Sequence, residues 1–476
     1  MIANAFPPEG AAGVYRPLRF VRHLPCSGWH PHVVAADQYY YERYDPALLA
    51  MIPHQTEVVR VRGHDPWQAF QARRVVQLQN NGSSRNGGSK APLRPTFRSS
   101  VRSYLSQKLR TIEAWSYHPD RSMLWIQPAV KATVALCASK QPKIIWATAG
   151  PVSSLIVAQK ASQRTGIPYM IDFRDAWTIT YNKFEASRPK WAILRDRKRM
   201  YRLLEGAQAV SFRYHTEAEC YWHAYPGALN ASRIHIIPNG YEGTVETFDV
   251  PKGELCRILY AGTLESYRYD TLLQALKTFK HQDLDRAAHL RMSFVGEEAE
   301  NLMDQASALG VADLIEISGP KSHHEITRLQ SEAHGLLILG RPSTMKGYEL
   351  FAGAKLFGYL KVGRPIVGIL PADETRKILR RVGSSTVADA DSATEIVALL
   401  KRLVDAWSND RLHLLAPDAV ACAAYSAPQQ TGALVRALEG MPAVDPFLPG
   451  RVVIPPSLRR DLSCGAWINS QSFARG

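Results

Sequence analysis

No stretch of these 476 residues approaches the ~18 uninterrupted apolar positions that a membrane-spanning helix needs. The opening residues, MIANAFPPEG, have neither the basic start nor the long apolar run of an export signal, so a soluble, unexported, cytoplasmic chain is expected. Cysteine is scarce. Cys26, Cys137, Cys220, Cys256, Cys422 and Cys464 lie far apart, with no Cys-x-x-Cys pair and no companion histidine at zinc spacing. That pattern excludes a disulfide framework and predicts reduced thiols. The His323-His324 pair with Glu325 has no partner histidine three or four residues away, and adjacent side chains on a helix point apart, so no metal is expected.

What the chain does have is apolar content and a lopsided charge. Its length suggests roughly two to three domains, and 46% hydrophobic residues suffice for two full cores. The formal charge is +15. Residues 1–245 hold 32 Lys and Arg against 16 Asp and Glu, leaving 26 against 27 for the remainder. The basic first half is expected to face something anionic: a membrane surface, a phosphorylated acceptor or a nucleic acid. The basic residues are not interleaved with aromatics in any recognisable module, so no nucleic-acid partner is expected.

Short apolar runs alternate with helical patterns along both halves. Strands are predicted at residues 32–36, 57–61, 143–148, 168–172 and 209–212, then at 257–260, 291–295, 315–318, 335–339 and 365–369, with helices at 270–279 and 299–309. Such alternation predicts two consecutive doubly wound parallel sheets, with ligands at the carboxyl ends of the strands. The first domain is placed at 1–245 and the second at 254–427. A closing helix follows at 428–440, then a Pro-rich, aperiodic tail at 441–476 that is expected to be disordered or loosely draped and to which no chemistry is assigned. Residues 79–100 read as a flexible basic loop. Directly after it, Val101, Leu105, Leu109, Ile112 and Trp115 mark one helical stripe that suits either a membrane surface or the domain's own core.

Several segments carry potential chemistry. Gly262 and Thr263 follow an apolar run in Leu259-Tyr260-Ala261-Gly262-Thr263-Leu264, where exposed backbone N–H groups make an anion site and Arg268 adds charge-assisted hydrogen bonds. Gly296 follows Phe294-Val295. Lys355 opens a short helix that Gly363 ends, before Arg364-Pro365 leads into a buried strand. In the first half, Gly10-Ala11-Ala12-Gly13-Val14-Tyr15-Arg16 offers small residues that let the backbone approach a ligand, beside the cation Arg16. Met170-Ile171-Asp172-Phe173-Arg174-Asp175-Ala176-Trp177 ends a strand in two acids flanking a base, and acids there point into a cleft. Asp172 or Asp175 is a candidate proton acceptor or sugar-hydroxyl partner with Arg174 orienting one carboxylate, and an internal brace is the alternative.

Lys355-Leu356-Phe357-Gly358-Tyr359-Leu360 followed by Gly363-Arg364-Pro365 resembles the donor-site signature of family 4 glycosyltransferases of the GT-B fold, Lys-Leu-x-Glu-Tyr-Leu-x-x-Gly-x-Pro, with Gly358 at the Glu position. Residues 172–177 resemble the Asp-x-Arg-Asp-x-Trp motif of one branch of these enzymes, and Pro238-Asn239-Gly240 resembles their hinge. The Gly262 segment resembles their Gly-Arg-Leu-x-x-x-Lys loop, with Thr263 at the Arg position and Arg268 at the Lys position. The resemblance implies two Rossmann-like domains facing a central cleft. It also implies a donor site of Gly262, Thr263, Arg268, Gly296, Lys355 and Gly358, with Glu349 standing in for a sugar-contacting carboxylate after a one-residue shift. Gly10, Gly13 and Arg16 would form the acceptor or phosphate loop, and Asp172, Arg174 and Asp175 the catalytic group. The implied reaction is retaining, metal-independent transfer from a nucleoside-diphosphate-sugar, a co-substrate rather than a bound cofactor, to a glycan or lipid-linked acceptor at the inner membrane face. A sugar-nucleotide epimerase and a noncatalytic sugar-nucleotide-binding protein with a degenerate donor site are the alternatives.

Overall fold

The computed structural model of the chain describes residues 1–38, 41, 43–63, 117–180, 188–246, 253–264, 267, 269–296 and 300–458. The expected loop at 79–100, the stripe from Val101 to Trp115 and Arg268 lie outside them. The chain divides into two compact units. Unit 1 comprises Met1–Ile237, Thr431–Ile454 and Arg459–Gly476; unit 2 comprises Pro238–Gln430 and Pro455–Leu458.

In unit 1, β1 (Val33–Ala36) pairs parallel with β2 (Val58–Val61), and β3 (Ile145–Thr148), β4 (Tyr169–Asp172), β5 (Ala209–Phe212) and β6 (Ile234–Ile236) form a parallel four-stranded run. Ile2 joins the two by bridging Val34 on one side and Ala147 on the other. The chain's first residues thus occupy the centre of the sheet. Strands β3, β4 and β5 are buried along their whole length, because the helices of a parallel sheet cover both faces. Their cover includes α1 (Tyr15–His23), α2 (Ile126–Lys140) and α3 (Ser153–Thr165), the last ended by Gly166 at φ +75°, a left-handed cap that glycine adopts without strain. Next come α4 (Lys190–Gly206) and α5 (His215–Ala224).

Unit 2 carries six parallel strands: β7 (Cys256–Ala261), β8 (Leu290–Val295), β9 (Ile315–Ser318), β10 (Gly335–Leu339), β11 (Ile366–Leu370) and β12 (Val387–Asp389). Their order is β12-β11-β10-β7-β8-β9, so the direction of winding reverses between β7 and β10. Helices α6 (Asp270–Gln282), α7 (Glu300–Ala308), α8 (His323–Glu332), α9 (Ala354–Val362) and α10 (Glu374–Arg381) lie between them, and α11 (Ala393–Ser408) follows β12. Ser322 and Glu325 form a reciprocal capping box at the start of α8, satisfying two otherwise orphaned N–H groups. Ile258, Leu276, Phe279, Phe294 and Leu400 are among the fully buried core, each contributing about 1.5–3 kcal/mol by leaving water.

The division between the units falls within α12 (Ala427–Leu438), whose Leu434, Ala437 and Leu438 pack in unit 1 with Phe20, Trp146 and Met170. Residues 441–458 contain no helix or strand, in keeping with their aperiodic sequence, but they are anchored. Phe447 is buried against Trp222, the Gly450 N–H donates to Glu219, and Leu458 is fully buried.

Candidate functional site

The reversal between β7 and β10 in unit 2 is where open α/β sheets leave a crevice beyond the strand ends. Gly262 follows β7 with φ +135°, a backbone state closed to side chains, and a Cβ there would lie 2.4 Å from Lys355 Nζ. Gly296 follows β8 at φ +151°, and a Cβ there would lie 2.4 Å from the Gly262 carbonyl oxygen. Two glycines and one lysine, distant in sequence, therefore meet at one point. Thr263 contributes its carbonyl, which accepts the Tyr260 hydroxyl at 2.7 Å.

Lys355 Nζ sits 3.8 Å from the centre of the Tyr260 ring and 5.5 Å from that of Tyr267. It has no carboxylate partner among the described residues. Burial lowers its pKa from 10.5 to about 8. A second cation stands nearby that the sequence reading passed over. Arg341 directly follows β10 and Gly340, stacks on Phe351 at 4.1 Å, and leaves its buried Nε without an acceptor among the described residues. Burial raises the Tyr267 hydroxyl pKa, and the Arg341 charge opposes that rise, so its field reaches the ring that Lys355 also faces. Its sequence signal was a Gly-Arg-Pro directly after an apolar strand. Asp373, just past β11, was also passed over: burial pushes its carboxyl up to about 7 while it caps α10 through the Arg376 N–H.

Glu349 is buried in a single 3-10 turn, and its carboxylate is already engaged. Ser457 donates to it from its hydroxyl at 2.5 Å and from its N–H at 3.3 Å, and the same hydroxyl accepts from Gly347 N at 3.1 Å. No sequence signal in the aperiodic tail pointed to this contact. Gly358 lies on the exposed side of α9, and apart from its own turn of helix nothing among the described residues lies within 4 Å of where a Cβ would stand.

In unit 1 the sheet winds in opposite directions from the central Ile2, so the loops following it and β3 border the corresponding crevice. Arg174 fills that position. A Cβ on Gly13 would lie 1.7 Å from its Nη1, and one on Gly150 2.5 Å from its Nε. These glycines are small to admit the guanidinium, a reason different from the expected approach of a ligand to Gly13. Arg174 Nη2 donates to the Gly150 carbonyl at 2.6 Å, while its buried Nε and Nη1 have no hydrogen-bond acceptor among the described residues. Gly10 packs against Asp45 and Arg43.

Asp172 and Arg16 take the role of the internal brace. Arg16 donates to both carboxylate oxygens at 3.0 and 2.7 Å and to the Ile237 carbonyl at 2.8 Å, while Thr148 and Ser211 hydroxyls donate to Asp172 at 2.9 and 2.7 Å. Burial alone would raise the Asp172 pKa. The Arg16 charge and these hydrogen bonds outweigh it and hold the carboxyl below its ordinary range. With every lone pair occupied, Asp172 has no capacity left for a substrate proton. Asp175 differs: its side chain is 70% exposed, 3.6 Å from Arg174 and 3.9 Å from Arg213. Trp177 is turned into the core, its backbone N–H donating to the Tyr221 hydroxyl at 2.8 Å.

A cavity of about 700 Å³ lined by Met1, Trp29, His32, Cys137 and Ile144 opens at the amino ends of the unit 1 strands, the edge opposite these groups. Among the described residues no group of three His, Cys, Asp or Glu is arranged to hold a metal ion, and no helix is long and apolar enough to cross a membrane.

No protein-family model and no curated protein matches the sequence. Solved structures do match the fold. The lipopolysaccharide outer core galactosyltransferase WaaB superposes with a TM-score of 0.54 at 12% identity, covering 92% of this chain and 98% of that one. The fold is GT-B. An S. aureus TarM variant in complex with fondaparinux, alpha-GlcNAc-glycerol and UDP gives 0.51 at 9% identity over 92% and 99% of the two chains. Sucrose-phosphate synthase from Thermosynechococcus elongatus gives 0.51 at 13% over 90% and 94%. At these identities the likeness establishes the GT-B architecture, and the expected pair of doubly wound parallel-sheet domains agrees with it.

Proposed function

We propose that this GT-B protein is a glycosyltransferase that moves a sugar from a nucleoside-diphosphate-sugar to an acceptor hydroxyl in surface-glycan or glycolipid synthesis. The observation that carries the reading is the half-buried Lys355 ammonium against Gly262, without a carboxylate partner among the described residues, with the Arg341 charge acting on the same Tyr267 that Lys355 faces. A buried cation without a carboxylate is costly unless an anion completes it. A diphosphate supplies two charges to match two cations. Arg341 then offsets the loss of the family's loop arginine at Thr263, and Arg268 is assigned to the same anion.

In the proposed reaction the acceptor oxygen forms a bond to the anomeric carbon as the carbon–oxygen bond to the diphosphate breaks, with retention of configuration. Lys355, Arg341 and the Gly262 and Gly296 backbone stabilise the leaving charge, in place of a metal. Asp175, the exposed carboxylate of its motif, takes the acceptor's proton, and Arg174 orients the acceptor. A second reading, a sugar-nucleotide-binding protein without turnover, is favoured by Gly358 and by the Ser457 contact on Glu349. A thermal-shift screen of UDP-, GDP-, dTDP- and ADP-sugars tests both, since a ligand that binds only the folded state raises its stability. Stabilisation by one donor, lost in Lys355→Met, supports donor binding. Transfer that falls in Asp175→Asn then separates the enzyme from the binder. No stabilisation by any donor sinks both.

A further inference from the structure

Helix α4 in unit 1 has a surface that the transferase reading does not use. At 100° per residue its buried side chains, Ala192, Asp196, Met200, Leu203 and Leu204, occupy one arc of about 120°. Lys190, Trp191, Leu194, Arg195, Lys198 and Arg202 are exposed and fall together on another arc of about 140°. Trp191 is 53% and Leu194 61% exposed, an unusual investment of apolar surface in water, and both lie within the cationic row. The helix has two acids. Asp196 is turned inward and neutralised by Arg188 at 2.8 Å, with Arg199 3.7 Å away, and Glu205 is exposed at the far end of the helix, within the arc of the cations.

We infer that this face of α4 docks on an anionic lipid bilayer, with Trp191 and Leu194 entering the headgroup boundary and Lys190, Arg195, Lys198 and Arg202 meeting lipid phosphates. Apolar insertion flanked by lysine and arginine is what holds a helix in the interface plane. The +16 excess of residues 1–245 over their acids complements the same surface. A protein partner would need a shaped apolar patch with hydrogen-bonding groups at its rim, whereas a single Trp-Leu pair among four long cations suits a fluid, negatively charged sheet. The inference rests on the helix surface and not on the sugar chemistry.

Sedimentation of the full chain with phosphatidylcholine vesicles, with and without about 30% phosphatidylglycerol, provides the test. Binding is expected to the anionic vesicles only. Arg195→Glu/Arg202→Glu should weaken it by roughly tenfold or more, and Trp191→Ser/Leu194→Ser should make the residual binding vanish at about 0.5 M salt, where screening removes the ionic part. These side chains are exposed, so unchanged circular dichroism and melting serve as the folding control. Equal binding to neutral vesicles, wild-type binding by both variants, or retention on duplex DNA without vesicle binding would each overturn the inference. Sugar transfer to a water-soluble acceptor without vesicle binding removes the docking and leaves the enzyme. Vesicle binding without transfer does the reverse.

Discussion

Lys355 should make ligand affinity and stability respond to pH in opposite directions. Its pKa falls from 10.5 to about 8 on burial. At pH 7 about nine-tenths of the ligand-free protein carries the charge, and at pH 9 about one-tenth does. If only the ammonium form binds a diphosphate, apparent affinity for a nucleoside diphosphate falls about tenfold between these values. Stability moves the other way. Between about 8 and 10.5 the unfolded chain binds more protons at this lysine than the folded chain, so unfolding free energy rises with pH across that window. The shift corresponds to about 3 kcal/mol, and partial exposure brings the expected effect to about 1–2 kcal/mol. Lys355→Met should therefore be more stable than wild type at pH 7 by about that amount, bind the diphosphate more weakly, and lose the pH dependence. Isothermal titration from pH 7 to 9, in buffers of differing ionisation enthalpy, reads affinity and proton uptake together. A flat affinity with no proton uptake refutes the reasoning, as does a Met variant less stable than wild type.

Gly358→Glu enters open space on an exposed helical face, so it should be tolerated and gain about 0.5–1 kcal/mol of helix stability; tighter nucleotide-sugar binding by the same variant, read by titration, would show a donor pocket otherwise intact. Asp172→Asn leaves Arg16 buried without its charge partner and should cost about 3–5 kcal/mol in chemical denaturation. Because the Asp172 pKa is depressed, that contribution is present above the ordinary carboxylate pKa of 3.8 and disappears in acid as pH falls through the lower folded value. Gly13→Ala adds a Cβ 1.7 Å from Arg174 Nη1, and should displace the guanidinium and cut transfer more than it cuts donor binding. Ser457→Ala removes the 2.5 Å hydrogen bond to Glu349 and should speed limited proteolysis near residue 455 by several-fold.

The strands were legible because a parallel sheet buried on both faces writes itself as apolar runs: β5, β9 and β10 fall where the pattern puts them, and most others shift by a residue or two. The three-residue strands β6 and β12 left no such mark, since His235 interrupts one run and both lie at sheet edges, where few apolar positions are needed. Gly262, Gly296 and Lys355 were readable as separate turns and a helix start. Their meeting was not, because it depends on β7, β8 and α9 being brought together across some ninety residues of chain.

The two acids of residues 172–175 separate these levels most clearly. Composition and spacing mark Asp172 and Asp175 alike as carboxylates at a strand's end. Only the packing of α1, β3 and β5 around β4 gives Asp172 four donor side-chain contacts and leaves Asp175 in water. Arg341 and Ser457 entered the same way, from a loop and a tail without periodicity. Sequence by itself determined the two-domain α/β architecture and the basic first half, because burial periodicity and charge are local properties of the chain. Tertiary structure decided which charged groups are already satisfied and which remain open to a ligand, because that depends on neighbours far away in sequence.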